Sequence, residues 1–159
     1  MDTSSVLVLA FLLGVITGLR ALTPVAAICW AAHWRWINLD LSPLHFMGSL
    51  VAAIIFSVLA IGELINDKLP KTPSRKAPPS FMFRIVMGAL AGAALCSSAG
   101  DSMFLGALLG GLGAVAGTFG GYEARIRLAK ALNASDMAVA LFEDAIAVGG
   151  AFLLVSRFM

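Results

Sequence analysis

Charge is what this sequence has least of. Only 13% of its 159 residues are Asp, Glu, Lys or Arg, against about 25% in a soluble domain. Eleven Lys and Arg against nine Asp and Glu leave a net charge of +2. No one-signed field draws in a polyanion, and a nucleic-acid-binding domain is excluded. The two cysteines, Cys29 and Cys96, sit inside apolar runs without a C-x-x-C spacing and read as small buried hydrophobes rather than a redox pair. The two histidines, His33 and His45, flank Trp34 and Trp36 close to Trp30. That grouping reads as an interfacial aromatic belt, since a zinc site needs further ligands at suitable spacing. Gly110-Gly111 lacks the Lys-Ser/Thr of a Walker loop, and neither a nucleophile elbow nor a Ser-His-Asp order is present. Met1-Asp2-Thr3-Ser4-Ser5 has no basic stretch and no small-residue cleavage site close behind, so the first apolar segment reads as a retained helix rather than a signal peptide.

What is there is apolar length. Hydrophobic residues make up 60% of the chain and the mean hydropathy is +0.94. Five apolar blocks cover residues 6–32, 46–64, 81–98, 103–122 and 137–155, most of them close to the roughly 20 residues that cross a bilayer as a helix. The fold expected is all-α: a polytopic membrane helix bundle of about five transmembrane helices, forming one domain over 1–159. Arg20 with Thr23-Pro24 interrupts the first block, which is then one broken crossing, two half-helices or a re-entrant hairpin, and Gly120-Gly121-Tyr122-Glu123 marks a candidate break in the fourth. The joint 66–80 holds four prolines, which stop a helix. Small-xxx-small spacing recurs as Gly14-x-x-x-Gly18 and Gly113-x-x-x-Gly117. Two interrupted spans crossing in opposite senses are also the mark of an inverted-repeat transporter, although close helix packing produces the same glycine spacing.

Orientation follows from the basic joints. Lys68, Lys71, Arg75 and Lys76 lie in the second, and Arg125, Arg127 and Lys130 in the fourth. Five crossings then put the N-terminus on the cytoplasmic side and the C-terminus outside. The run 124–132 is expected to lie against anionic headgroups.

Ionisable groups inside apolar spans carry the most information, because a central Arg or Asp costs about 2.5–3.5 kcal/mol on insertion scales. Arg20 is the clearest case: either an anion-binding or charge-pairing residue, or a structural one capping carbonyls freed by the Pro24 break. Glu63 and Asp67, four apart, share a helix face. Glu143 and Asp144 point about 100° apart, so one can face the bundle and the other a second helix or a lipid interface. Glu123 and Arg125 start the loop at the same level. Arg20, Arg84 and Arg125 either neutralise these acids, giving a structural network, or do so incompletely, giving a proton or cation site. Thr17, Thr23 and Thr118 read as re-satisfying backbone groups at helix breaks, with Thr23 also a candidate solute ligand.

Three segments carry a resemblance: Gly18-Leu19-Arg20-Ala21-Leu22-Thr23-Pro24, Gly62-Glu63-Leu64-Ile65-Asn66-Asp67-Lys68-Leu69-Pro70 and Phe142-Glu143-Asp144-Ala145-Ile146-Ala147. They resemble motifs of a bacterial inner-membrane family catalogued as domain of unknown function 4126, and Thr72-Pro73-Ser74-Arg75 and Gly120-Gly121 are similar to its shorter members. The resemblance implies a small multi-pass membrane protein and adds weight to Arg20, Glu63, Asp67, Arg75, Glu143 and Asp144.

The leading expectation is a transporter or channel for a small ion or solute. It would be a homo-oligomer, such as a dimer packed through glycine-lined faces, in which Arg20 and the broken helix ends bind solute near the midplane. Glu143, Asp144 and Glu63 would take up a proton or cation. The alternatives are an enzyme acting on a lipid or lipid phosphate, with a divalent cation held by the carboxylates and Arg75, Arg84 and Arg125 on phosphate, or a non-catalytic membrane partner. No other cofactor is expected.

Overall fold

In the computed structural model, residues 2–67, 77–132 and 136–159 are described. They form six α-helices: α1 (Thr3–Leu19), α2 (Thr23–His33), α3 (Leu50–Asn66), α4 (Pro78–Ser98), α5 (Met103–Leu132) and α6 (Asp136–Val155). There is no strand among them. Pro78–Ser98, Met103–Leu128 and Met137–Phe158 are long and apolar enough to cross a membrane, while α1 and α3 are shorter apolar helices. The chain is thus a helical, multi-pass membrane protein.

The first apolar block is two helices, not one crossing. Asp2 caps α1, its carboxylate accepting from the Ser5 backbone N–H at 3.2 Å and the Ser5 hydroxyl at 2.9 Å. These bonds hold the Asp2 carboxyl below its ordinary value. At the other end the helix cannot run on. Pro24 has no N–H to give, and its ring would meet the Arg20 carbonyl four residues back. Arg20 turns extended (φ −138, ψ 109), and α2 restarts with Pro24 in its first turn, where a proline is well placed.

Past the break the chain reverses. Along α2, Leu22 faces Glu63, Trp30 Nε1 donates to Ser57 Oγ at 2.9 Å, and His33 reaches the Gly48 carbonyl at 3.3 Å. This register makes α2 antiparallel to α3. Beside α1, Thr3 Oγ1 donates to Asp101 at 2.8 Å and Thr118 Oγ1 lies 3.4 Å from the Gly18 carbonyl, so α1 and α5 run parallel. Segment 34–49 closes the shorter α2 side by burying Ile37, Leu39 and Met47.

The expected single crossing, with the chain ends on opposite sides, is therefore corrected. Ser4, Ser5 and Arg157 line one cavity, and Thr3 touches the α4–α5 turn, so residues near both ends share one face. A hydropathy profile records a short reversal as a mere interruption. Membrane-impermeant maleimide should label Ser4→Cys and Arg157→Cys from the same side of a sealed vesicle, and Arg127→Cys only from the other. Cys29 and Cys96 are buried and give little background.

The break expected in the fourth block is absent: α5 continues through Gly120-Gly121 to Leu132. Glycine is tolerated within membrane helices, where no water competes for the backbone. The segment 124–132, expected against headgroups, is the last part of the same helix. One of the two interruptions behind the inverted-repeat reading is thereby lost.

Glycines also knit the interior. A Cβ at Gly110 would collide with the Gly88 carbonyl, one at Gly14 with Gly110, and one at Gly92 with Gly106. Helices α1, α4 and α5 meet there backbone to backbone, with Gly113 and Gly117 pressed onto α1 as well. The glycine faces expected to receive a second copy are used inside the chain. At the tight α4–α5 turn, Gly100 has φ 76 and its N–H bonds the Ser97 carbonyl at 3.2 Å, a left-handed position suited to glycine.

Candidate functional site

The break between α1 and α2 exposes two helix ends to one point, and side chains from α3 and α4 meet them. Both Glu63 carboxylate oxygens accept backbone N–H bonds, from Ala21 at 2.7 Å and Leu22 at 2.9 Å. An acid at the start of α2 satisfies orphan donors and suits the positive end of the helix dipole. Arg84 does the converse for α1, donating from Nη1 to the Gly18 and Leu19 carbonyls at 3.0 and 2.8 Å. Carbonyl capping, one of the two roles foreseen for Arg20, thus falls to Arg84.

Arg20 itself is fully buried and takes the pairing role. Its Nη1 pairs with Asp67 on α3 and its Nη2 with Asp144 on α6. One guanidinium so ties the α1–α2 turn to two other helices. Arg84 Nη2 stands 3.6 Å from Glu63 and 4.0 Å from Asp67. These are ion pairs at distances too long for hydrogen bonds. Glu143 faces the other way, its Oε2 lying 3.6 Å from Arg125 on α5, as the angular offset between Glu143 and Asp144 requires.

The structure therefore brings together Arg20, Glu63, Asp67 and Asp144, with Glu143 and Arg125 as a neighbouring pair. Glu123 does not join them; it is exposed and pairs with Arg127 one turn along α5 at 3.5 Å. Arg75 lies outside the described residues. Arg84, read in the sequence as a compensating charge or, in the enzyme alternative, a phosphate ligand, is a central member. Its signal was its position a turn and a half into an apolar helix.

The threonines divide. Thr17 Oγ1 donates to the Leu13 carbonyl at 2.9 Å and Thr118 Oγ1 to the Ala114 carbonyl at 2.8 Å. Thr23 does not follow them: its buried Oγ1 has no hydrogen-bond partner, and the same is true of Arg20 Nε.

Depth can be read from helix length. Arg20 ends a 17-residue helix, about 26 Å from the start of α1 at ~1.5 Å per residue. A hydrocarbon core is roughly 30 Å thick, so a helix of that length nearly matches it. The reversal makes Arg20 the end of a helix rather than the middle of a continuous one.

A cavity of about 600 Å³ reaches this cluster between α3 and α4. Its floor is Ala21 and Leu22, and Glu63, Asp67 and Arg84 form its charged wall. Among the described residues no three of His, Cys, Asp and Glu are grouped to hold a metal ion.

The profile of the family described as "Domain of unknown function (DUF4126)" matches residues 7–157. The chain belongs to that family. No curated protein and no solved structure matches it. In this DUF4126 protein the resemblance-bearing segments 18–24, 62–67 and 142–147 converge: the first supplies the break, the second its acidic cap and Asp67, the third Asp144 and Glu143.

Proposed function

We propose that this protein is a carrier for a small charged solute or ion, operating by exchange with the ion pairs at the α1–α2 break. The observation that supports this most is the coincidence of two features. Buried Arg20 Nε and Thr23 Oγ1 stand without partners at the break, and a 600 Å³ cavity approaches the break from one side. On the other side, Gly14, Gly88 and Gly110 close the bundle backbone to backbone. A site accessible from one side and sealed from the other is one half of an alternating-access cycle.

The switching element in this reading is α3. It rests on α2 through a narrow alanine face, Ala52, Ala53 and Ala60, and is pinned by Asp67 to Arg20. A solute or proton that replaces the Asp67–Arg20 contact biases α3 away from the bundle. By the positive-inside bias the cavity faces the cytoplasm, with both chain ends outside. In a bacterial inner membrane this is an inward-open form. Assembly with a second copy would use lipid-facing side chains such as Leu105, Leu108 and Leu112 rather than glycines.

The test is current and tracer flux in proteoliposomes under proton, monovalent-cation, divalent-cation and anion gradients, with Asp144→Asn as an inactive control. The informative variant is Thr23→Val. Its Oγ1 makes no hydrogen bond in the chain, so the change should leave thermal stability within about 0.5 kcal/mol while lowering flux about tenfold, the worth of one hydrogen bond to a charged solute. Absence of flux under every gradient, with the protein folded, would overturn the carrier reading.

A further inference from the structure

The cavity between α3 and α4 is graded in polarity along the membrane normal. At its mouth are Asn66, Asp67 and Ser80, and next come Glu63 and Arg84. Val58 and Leu59 line it four to five residues further along α3, about 6–8 Å deeper into the bilayer. Val58, Leu59 and Phe83 are exposed, so this wall belongs to the lipid phase. Gly62 lies in the lining, and a Cβ there would meet nothing within 4 Å.

Both signs of charge occur side by side at the polar end. Arg84 Nη2 is 3.6 Å from Glu63 and 4.0 Å from Asp67, contacts long enough for a third group to share. A free inorganic ion would use one sign and leave the apolar wall without purpose. A zwitterionic amphiphile uses everything: an anionic group on Arg84, an ammonium group on Asp67 and Glu63, and a chain along Val58, Leu59 and Phe83.

We infer that the α3–α4 groove is a lateral binding site for a zwitterionic aminophospholipid, whose chain enters from the bilayer along the apolar wall while the headgroup occupies the charged mouth that faces water. The inference rests on the carrier reading only in taking the groove as the path to the break; the lipid is a ligand of the groove wall, distinct from the small solute carried. Binding itself is tested independently of transport.

The experiment is native mass spectrometry of the full chain from nanodiscs containing equal amounts of 1-palmitoyl-2-oleoyl phosphatidylethanolamine and the matching phosphatidylglycerol and phosphatidylcholine. One phosphatidylethanolamine should remain bound, with about tenfold preference over phosphatidylglycerol, as charge-assisted pairing to the carboxylates requires. Phosphatidylcholine, whose quaternary ammonium cannot donate a hydrogen bond, should be retained less well. Gly62→Phe, which fills the groove from a position with open space, should abolish retention without lowering thermal stability. Equal retention of the three lipids, or undiminished retention in Gly62→Phe, overturns the inference. Ion and solute flux is then followed in proteoliposomes of the same protein. Selective binding without flux leaves the site intact and removes the carrier reading. Ion flux without selective binding does the reverse.

Discussion

Arg20→Met should be among the most destabilising substitutions in this protein, costing about 3–5 kcal/mol, the usual effect of removing one partner from a buried ion pair. Methionine keeps much of the length and volume of the side chain, so the loss is electrostatic. Asp67 and Asp144 both point at Arg20, and without it two carboxylates face each other around one emptied position. The reversal is as informative as the loss. Adding Asp67→Asn and Asp144→Asn to Arg20→Met removes the stranded charges and should recover most of the stability, since a complete buried network replaced by neutral groups is often no less stable. Arg20→Lys should recover little, because an ammonium lacks the fork that engages two acids on separate helices. Thermal unfolding in detergent, followed by circular dichroism, reads all four proteins. Equal stability of Arg20→Met and the wild type would mean that the pairs do not hold the bundle together.

The second large effect is expected from a single methyl group. Gly110→Ala places a Cβ against the Gly88 carbonyl and close to the Gly92 Cα, where only backbone is available to move. Overpacking of this kind costs about 1–3 kcal/mol and occasionally more, and here it outweighs the roughly 1 kcal/mol gained in helix propensity. The seam joins α1, α4 and α5, so the loss should appear as a lower unfolding temperature and as new labelling of Cys96, which packs beside Gly106. Gly120→Ala on the same helix is the control. A Cβ there meets nothing within 4 Å, so only the propensity gain remains and stability should hold or rise.

Much of this was visible before the fold. Apolar length separated the spans correctly from Phe46 onward, and motif spacing singled out Arg20, Glu63, Asp67, Glu143 and Asp144. What could not be read was direction. Arg20 and Thr23-Pro24 announce an interruption, but whether the chain kinks or turns back is decided by what receives the two freed helix ends. Here the receivers are Glu63 and Arg84, in the third and fourth helices. The expectation that the two chain ends lie on opposite faces followed from that one ambiguity. Glycine posed a similar problem. Gly14-x-x-x-Gly18 and Gly113-x-x-x-Gly117 specify close approach without saying to what, and the partner was another helix of the same chain. Glu123 went astray because loop position was inferred from Gly120-Gly121, whereas α5 carries Glu123 outward into an exposed pair with Arg127.

The Arg20–Asp144 pair joins the first helix hairpin to the last helix, and that places a condition on biogenesis. As the ribosome delivers the chain, Arg20 enters the bilayer long before Asp144 has been synthesised. The early helices must therefore be held with an incomplete charge network, near the headgroups or within the insertion machinery. Arrival of α6 completes the pairing of Arg20. A chain cut short before Asp144 leaves Arg20 with Asp67 alone, so the early helices depend on a later one for a full set of charge partners.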